Sequence, residues 1–179
     1  MSLKTGTAKE ARDFDDLKDK PIGPLNGVVK VRLLVLWICK TTQRQQFWDT
    51  MTAKIIQFDV DTRWNSTYDM IGDAIRCKAE LIRLGRAYLD ALASYTLTTD
   101  DWLFVEQLHD VLKPFNEFTK LVSSGRPTIT TTTRIYFGLS THLKLAGARE
   151  GKYAEYDHVI TNAVYSSLEL FNKYYNTMD

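Results

Sequence analysis

Asp59-Val60-Asp61-Thr62-Arg63-Trp64-Asn65-Ser66-Thr67-Tyr68-Asp69 is the stretch where the chain passes from an extended apolar segment into a long helix. Asn65 and Ser66 are residue types that cap helices, and Ser66 with Asp69 three positions on fits the reciprocal capping pattern, so a helix is predicted to begin just after Trp64. The Arg63-Trp64 pair then stands at a helix mouth, where unpaired backbone N–H groups favour anions. A guanidinium beside an indole suits gripping a phosphate and stacking on a base. The same pair has a plainer reading, in which Trp64 fills an apolar gap and Arg63 pairs with Asp61 or Asp69. Aromatic rings pack more often than they act as platforms.

Working upstream, Ile55 to Val60 alternates imperfectly and reads as an extended connector before Thr62. From Asn26 to about Met51, Val28, Val31, Val35, Ile38, Phe47 and Trp48 recur at helical spacing, with Lys30, Arg44 and Gln45 on the other side. Downstream, a helix from about Ser66 to Ala93 places Ile71, Ile75, Ile82, Leu89 and Leu92 along one side, and Gly85 marks a candidate bend. Thr98 and Asp101 form a second capping pair, opening a helix from Thr99 to Ser123 in which Pro114 calls for a kink rather than a stop. The threonines between 128 and 133 offer several caps for a helix closed by Gly147 to Gly151. A last helix from about Tyr153 to Tyr175 carries Tyr156, Ile160, Val164, Leu168 and Phe171 on one face. The expected fold is all-α, a helical bundle of four to five helices with the connector before Thr62. Residues 1 to 23, dense in alternating charge, read as a flexible charged leader, and residues 24 to 179 as one helical domain.

With 179 residues, 44% of them hydrophobic, the chain can bury a substantial core. A net charge of +1 gives no global pull toward nucleic acid or acidic membranes, so such binding must come from local patches. Between residues 30 and 86 there are ten Lys or Arg against six Asp or Glu, a modest basic excess around the Arg-Trp stretch. Cys39 and Cys77 stand alone, with neither metal spacing nor a disulfide framework, as in a reduced intracellular protein. The most apolar run, Val28 to Cys39, is interrupted by Lys30 and Arg32 and is too short to span a bilayer, so no membrane contact is expected. His109, His142 and His158 share no helical spacing, and no nucleophile elbow or phosphate-cradling glycine loop occurs. Asp59 with Asp61 is the one i, i+2 carboxylate pair at a segment end, and a working metal site would need a further carboxylate from elsewhere. Neither a metal nor a cofactor is expected.

The stretch from Asp59 to Met70 resembles a segment of hAT-type DNA transposases, a cut-and-paste family with host-domesticated members. Three further stretches are similar to that family in the same order: Val35 to Phe47, Trp102 to Leu121 with Leu112-Lys113-Pro114-Phe115, and Pro127-Thr128-Ile129-Thr130 with Ile135-Tyr136. The resemblance implies an all-helical domain inserted in an RNase H-like catalytic core, whose three metal-binding acids, zinc-finger module and dimerisation segment have no counterpart in this sequence. It therefore implies a fragment or truncated derivative, not an enzyme on its own and nuclear or otherwise intracellular. It also assigns Trp64 to a flipped base at a DNA hairpin end, with Arg63 as phosphate or stacking partner. The expected partner is transposon-end DNA, met by Arg63, Trp64, Asn65 and Arg44. The alternative is a domesticated or decayed protein-interaction module, for which the aromatic residues Tyr165, Phe171, Tyr174 and Tyr175 of the last helix speak, with a protein partner or a second copy in place of DNA.

Overall fold

The computed structural model describes residues 27–59, 64–123 and 129–175, so the expected leader lies outside the described residues. Among them the chain is all-α. Its helices are α1 (Gly27–Cys39), α2 (Thr42–Met51), α3 (Trp64–Arg76), α4 (Lys78–Ala87), α5 (Leu89–Leu92), α6 (Thr99–Ser123), α7 (Ile129–Gly147) and α8 (His158–Tyr175). Short 3-10 turns occupy Ala93–Tyr95 and Gly151–Tyr153. No helix among the described residues is long and apolar enough to cross a membrane. Contacts divide the chain into two compact units that part between Glu106 and Gln107, within α6.

In the first unit α1 is buried nearly all round, with Val31 and every residue from Leu33 to Ile38 inside. A helix apolar on all sides is stable only as the centre of a core. Its start lies so close to α6 that a Cβ on Gly27 would meet the Asp101 carbonyl oxygen at 2.6 Å. The single helix expected from Asn26 to Met51 is two, because Thr41 turns extended (φ −139°, ψ 147°) and caps α2, its hydroxyl accepting from Arg44 N at 3.3 Å. Thr52 to Asp59 then forms the expected connector without helix or strand.

The helix expected from Ser66 to Ala93 is three segments, broken at Cys77 and Tyr88 rather than at Gly85. At Cys77 the backbone N–H is shared between the carbonyls of Asp73 and Ala74, and Tyr88 sits at φ −124°, ψ 47°. Each break rotates the buried face. Met70, Ile71, Ala74, Cys77, Leu81 and Leu84 point inward, while Ile75 and Ile82 are half-buried and Leu89 is exposed. Gly85 serves close packing, since a Cβ there would lie 2.9 Å from Thr96 Oγ1.

The start of α6 is as expected. Thr98 N and Oγ1 both donate to Asp101 Oδ2 at 2.8 Å, and Asp101 N donates back to Thr98 Oγ1 at 3.2 Å. Lys30 of α1 adds an ion pair to the same carboxylate. Burial alone would raise the Asp101 pKa, but the Lys30 and Thr98 bonds outweigh it and hold the group below its usual range. The helix runs on through Pro114 to Ser123.

In the second unit α7 packs along α8, with Tyr136 stacked on Phe171 at 4.3 Å between ring centres. Ile160 and Val164 are buried and Leu168 and Phe171 half-buried, the face read from the sequence. The last helix begins at His158 rather than Tyr153, because Asp157 caps it: its Oδ1 accepts from Val159 N at 2.7 Å and its carbonyl from Thr161 N at 3.0 Å. Tyr153 and Tyr156 are released for another task. The Tyr153 hydroxyl lies 2.9 Å from His142 Nδ1, and His142 Nε2 lies 2.9 Å from the Val111 carbonyl oxygen, which can only accept. The carbonyl thus fixes a hydrogen on Nε2, and burial, which lowers the imidazole pKa, favours the neutral ring with Nδ1 accepting from Tyr153. Beside it Asp110 takes bonds from Lys152 and from the Tyr156 hydroxyl.

Two pH effects follow. The Asp101 pKa is depressed, so its contribution is present above the unfolded value near pH 4 and is lost as pH falls through the folded value. Asp101→Ala should therefore cost about 2 kcal/mol in urea unfolding at neutral pH, with the gap closing in acid. Burial lowers the His142 pKa, partly opposed by the Val111 bond. Stability of the second unit should then be full above about pH 6.5 and fall as pH drops through the lowered value, and His142→Gln should flatten that slope in thermal melts.

Candidate nucleic-acid interface

The connector leading into α3 is pinned by buried carboxylates, each held because an unpaired buried charge is costly. Asp59, 3% exposed, accepts from Arg32 Nε of α1 at 2.9 and 3.1 Å and from Arg32 Nη2, and from Thr67 Oγ1 of α3 at 3.0 Å. Asp73 of α3 is also buried and accepts the Gln57 backbone N–H at 3.0 Å, braced by Arg76. At the far end, the Trp48 indole donates to the Lys54 carbonyl oxygen at 3.0 Å and Lys54 Nζ donates to the Arg76 carbonyl oxygen at 2.9 Å. Three positions of the connector are thereby tied to the helices around it.

Trp64 is already helical, so Asn65 and Ser66 lie in the first turn of α3 rather than ahead of it. Arg63 and the Trp64 side chain lie outside the described residues. Asn65 is half-buried, and its Oδ1 is sealed from solvent without a donor among the described residues. Arg44 belongs to another cluster. Its guanidinium lies 4.1 Å from the centre of the Trp37 ring and donates to the Trp37 carbonyl oxygen at 3.4 Å. Tyr88 meets Trp37 and Phe47 edge-on at 4.7 and 5.2 Å. Burial lowers the Arg44 pKa, with Tyr88 acting the other way.

Asp59, weighed above as half of a metal pair, is engaged by Arg32 and Thr67, and Asp61 lies outside the described residues. Among the described residues no three His, Cys, Asp or Glu side chains group so as to hold a metal ion. Sequence reasoning missed the supports Arg32, Thr67 and Asp73. A signal existed for the first, since a cation inside an apolar helix requires a buried acid to meet it.

Residues 27–111 match the family described as the ZBED1 RNase-like helical domain, a range that takes in α1, the connector and the mouth of α3. A Talaromyces stipitatus protein named as a transcriptional regulator, tpeD, is 30% identical over 153 residues, 79% of this chain and 18% of that protein. A Zea mays protein named as an AC transposase is 37% identical over 75 residues, 42% of this chain and 9% of that protein. The chain thus spans less than a fifth of either relative. No solved structure gives a significant match.

Removing Arg32 while keeping its bulk tests the anchor. Arg32→Met should cost about 3–5 kcal/mol in denaturant unfolding by stranding Asp59, and adding Asp59→Asn should recover part of the loss.

Proposed function

Since this chain belongs to the hAT-type transposase-derived proteins, we propose that its helical region binds DNA at the ends of a mobile element, with the mouth of α3 as the contact surface. The observation that carries this reading is the anchoring of the connector through Asp59 and Asp73, which fixes where α3 begins. A stacking residue works only from a fixed position, because ordering it on binding would consume the gain. Trp64 stacks on an unpaired base at a hairpin end, Arg63 meets a phosphate, and Asn65 offers its amide beside them. Arg44, half-exposed, adds a phosphate contact while keeping its place over Trp37. The chain supplies no cutting chemistry; the metal-binding acids come from the remainder of a longer parent protein acting in the nucleus.

A second reading, a domesticated protein-interaction module, is favoured by one observation in the second unit. Phe137, Val159, Tyr165 and Leu170 are each more than half exposed, and apolar surface of that kind marks protein contacts.

The two readings part on DNA binding. Fluorescence anisotropy with hairpin and single-stranded-flank oligonucleotides should show binding that Trp64→Ala weakens by about tenfold or more, a stack being worth roughly 1–3 kcal/mol. Arg63→Ala should reduce the salt slope by about one. Equal binding by wild type and Trp64→Ala, or none by either, would remove the DNA reading; a protein partner recovered with DNA ignored would favour the module.

A further inference from the structure

Within the first unit, α4, α5 and the entry to α6 enclose an open groove of about 550 Å³, inside the roughly 300–1,000 Å³ span of ligand sites. Its apolar lining includes Ile82, Leu89, Leu97 and Trp102. Two cations, Lys78 and Arg86, line it as well, and no acid does. The groove follows from the break at Tyr88. That residue leaves the helical region to join Trp37 and Phe47, and the change of direction puts Leu89 outside, 62% exposed.

The chemistry of the lining selects the occupant. Trp102 is the one aromatic residue there, but it is 4% exposed and Lys78 Nζ lies 5.1 Å from its ring centre, so it offers no open face for a base. Apolar walls instead suit Leu- or Phe-sized side chains. Glu106 holds Lys78 at 2.8 Å from outside the lining, whereas Arg86 is exposed and has no ion pair among the described residues. The groove is therefore positive at an apolar surface. We propose that it docks an acidic amphipathic helix of a protein partner, which seats apolar residues spaced i and i+4 near Leu89 and Ile82 and turns its carboxylates to Arg86 and Lys78.

The test uses the whole chain and a fluorescein-labelled synthetic peptide with Leu and Phe on one helical face and Asp and Glu on the other. Anisotropy should report binding that Arg86→Glu and Leu89→Asp each weaken by about tenfold or more, while Lys144→Glu on α7 leaves it unchanged. A charge-swapped peptide with Lys in place of the acids should not bind, and a single-stranded oligonucleotide should not displace the acidic one. Both altered residues are exposed, so the variants should keep the parent circular dichroism and melting curve; if one unfolds, the other decides. No binding of the acidic peptide, equal binding by both variants, equal binding of the charge-swapped peptide, or displacement by the oligonucleotide would overturn the proposal. The α3 mouth shares none of these residues, so either surface can fail without the other.

Discussion

A buried carboxylate and the partly buried guanidinium that meets it set the geometry of the first unit. Arg32 is one of two residues, with Lys30, at which an apolar central helix admits a charge, and the Asp59 side chain that meets it is only 1% exposed. Such a pair adds little net stability over an apolar replacement, because desolvation offsets most of the attraction. Its effect here is on register. One acid on the connector can meet Arg32 and Thr67 at once, and sliding the connector by a residue would leave a charge stranded inside. The position at which α3 begins is therefore inherited from α1.

Much of the fold was legible wherever one local rule acted alone. Thr98 and Asp101 announced the start of α6, and the spacing of Ile160, Val164, Leu168 and Phe171 gave the inner face of α8. The chain was misread where tertiary partners overrode local pattern. Nothing in the run from Ser66 to Ala93 signals that Tyr88 will be drawn out of the helix by Trp37 and Phe47, because both rings come from helices far back in the sequence. Periodicity counted across that break assigned Leu89 to the core. Likewise Asp157 outcompeted Tyr153 as the start of the last helix because Tyr153 is held by His142, a partner on another helix. At the candidate site Arg63, Trp64 and Asn65 were singled out from their residue types, but the supports of the connector were not, since polar contacts 16 to 27 positions apart leave no periodic trace.

The second unit is locked by different means. Its loop between α7 and α8 is drawn onto α6 by polar groups: Asp157 N donates to Gln107 Oε1 at 2.9 Å, and Arg149 at φ 58° folds back to the carbonyls of Ala154 and Tyr156. With Asp110 and His142 already engaged, these bonds leave the loop few alternative arrangements. The apolar residues left outside on α7 and α8 are therefore displayed on a fixed frame, the condition a protein contact needs to bind without an ordering cost.

Charge decides what sort of DNA contact the first unit can sustain. Of the ten basic residues between 30 and 86, Lys30, Arg32, Lys54, Arg76 and Lys78 are in ion pairs and Arg44 lies on Trp37. Three of those pairs use acids of the same range, and Asp101 and Glu106 come from outside it, so folding takes up two of the four excess positive charges counted from sequence. So small a local excess supports few phosphate contacts, and each such contact carries a salt-dependent term that a duplex-coating protein accumulates many times over. Under the proposed DNA role, affinity for an end would come mainly from a contact that does not need charge, stacking on a base that the end leaves unpaired. Intact duplex hides its base faces, so under that proposed role an end would be told from the flanking double strand by structure rather than by sequence.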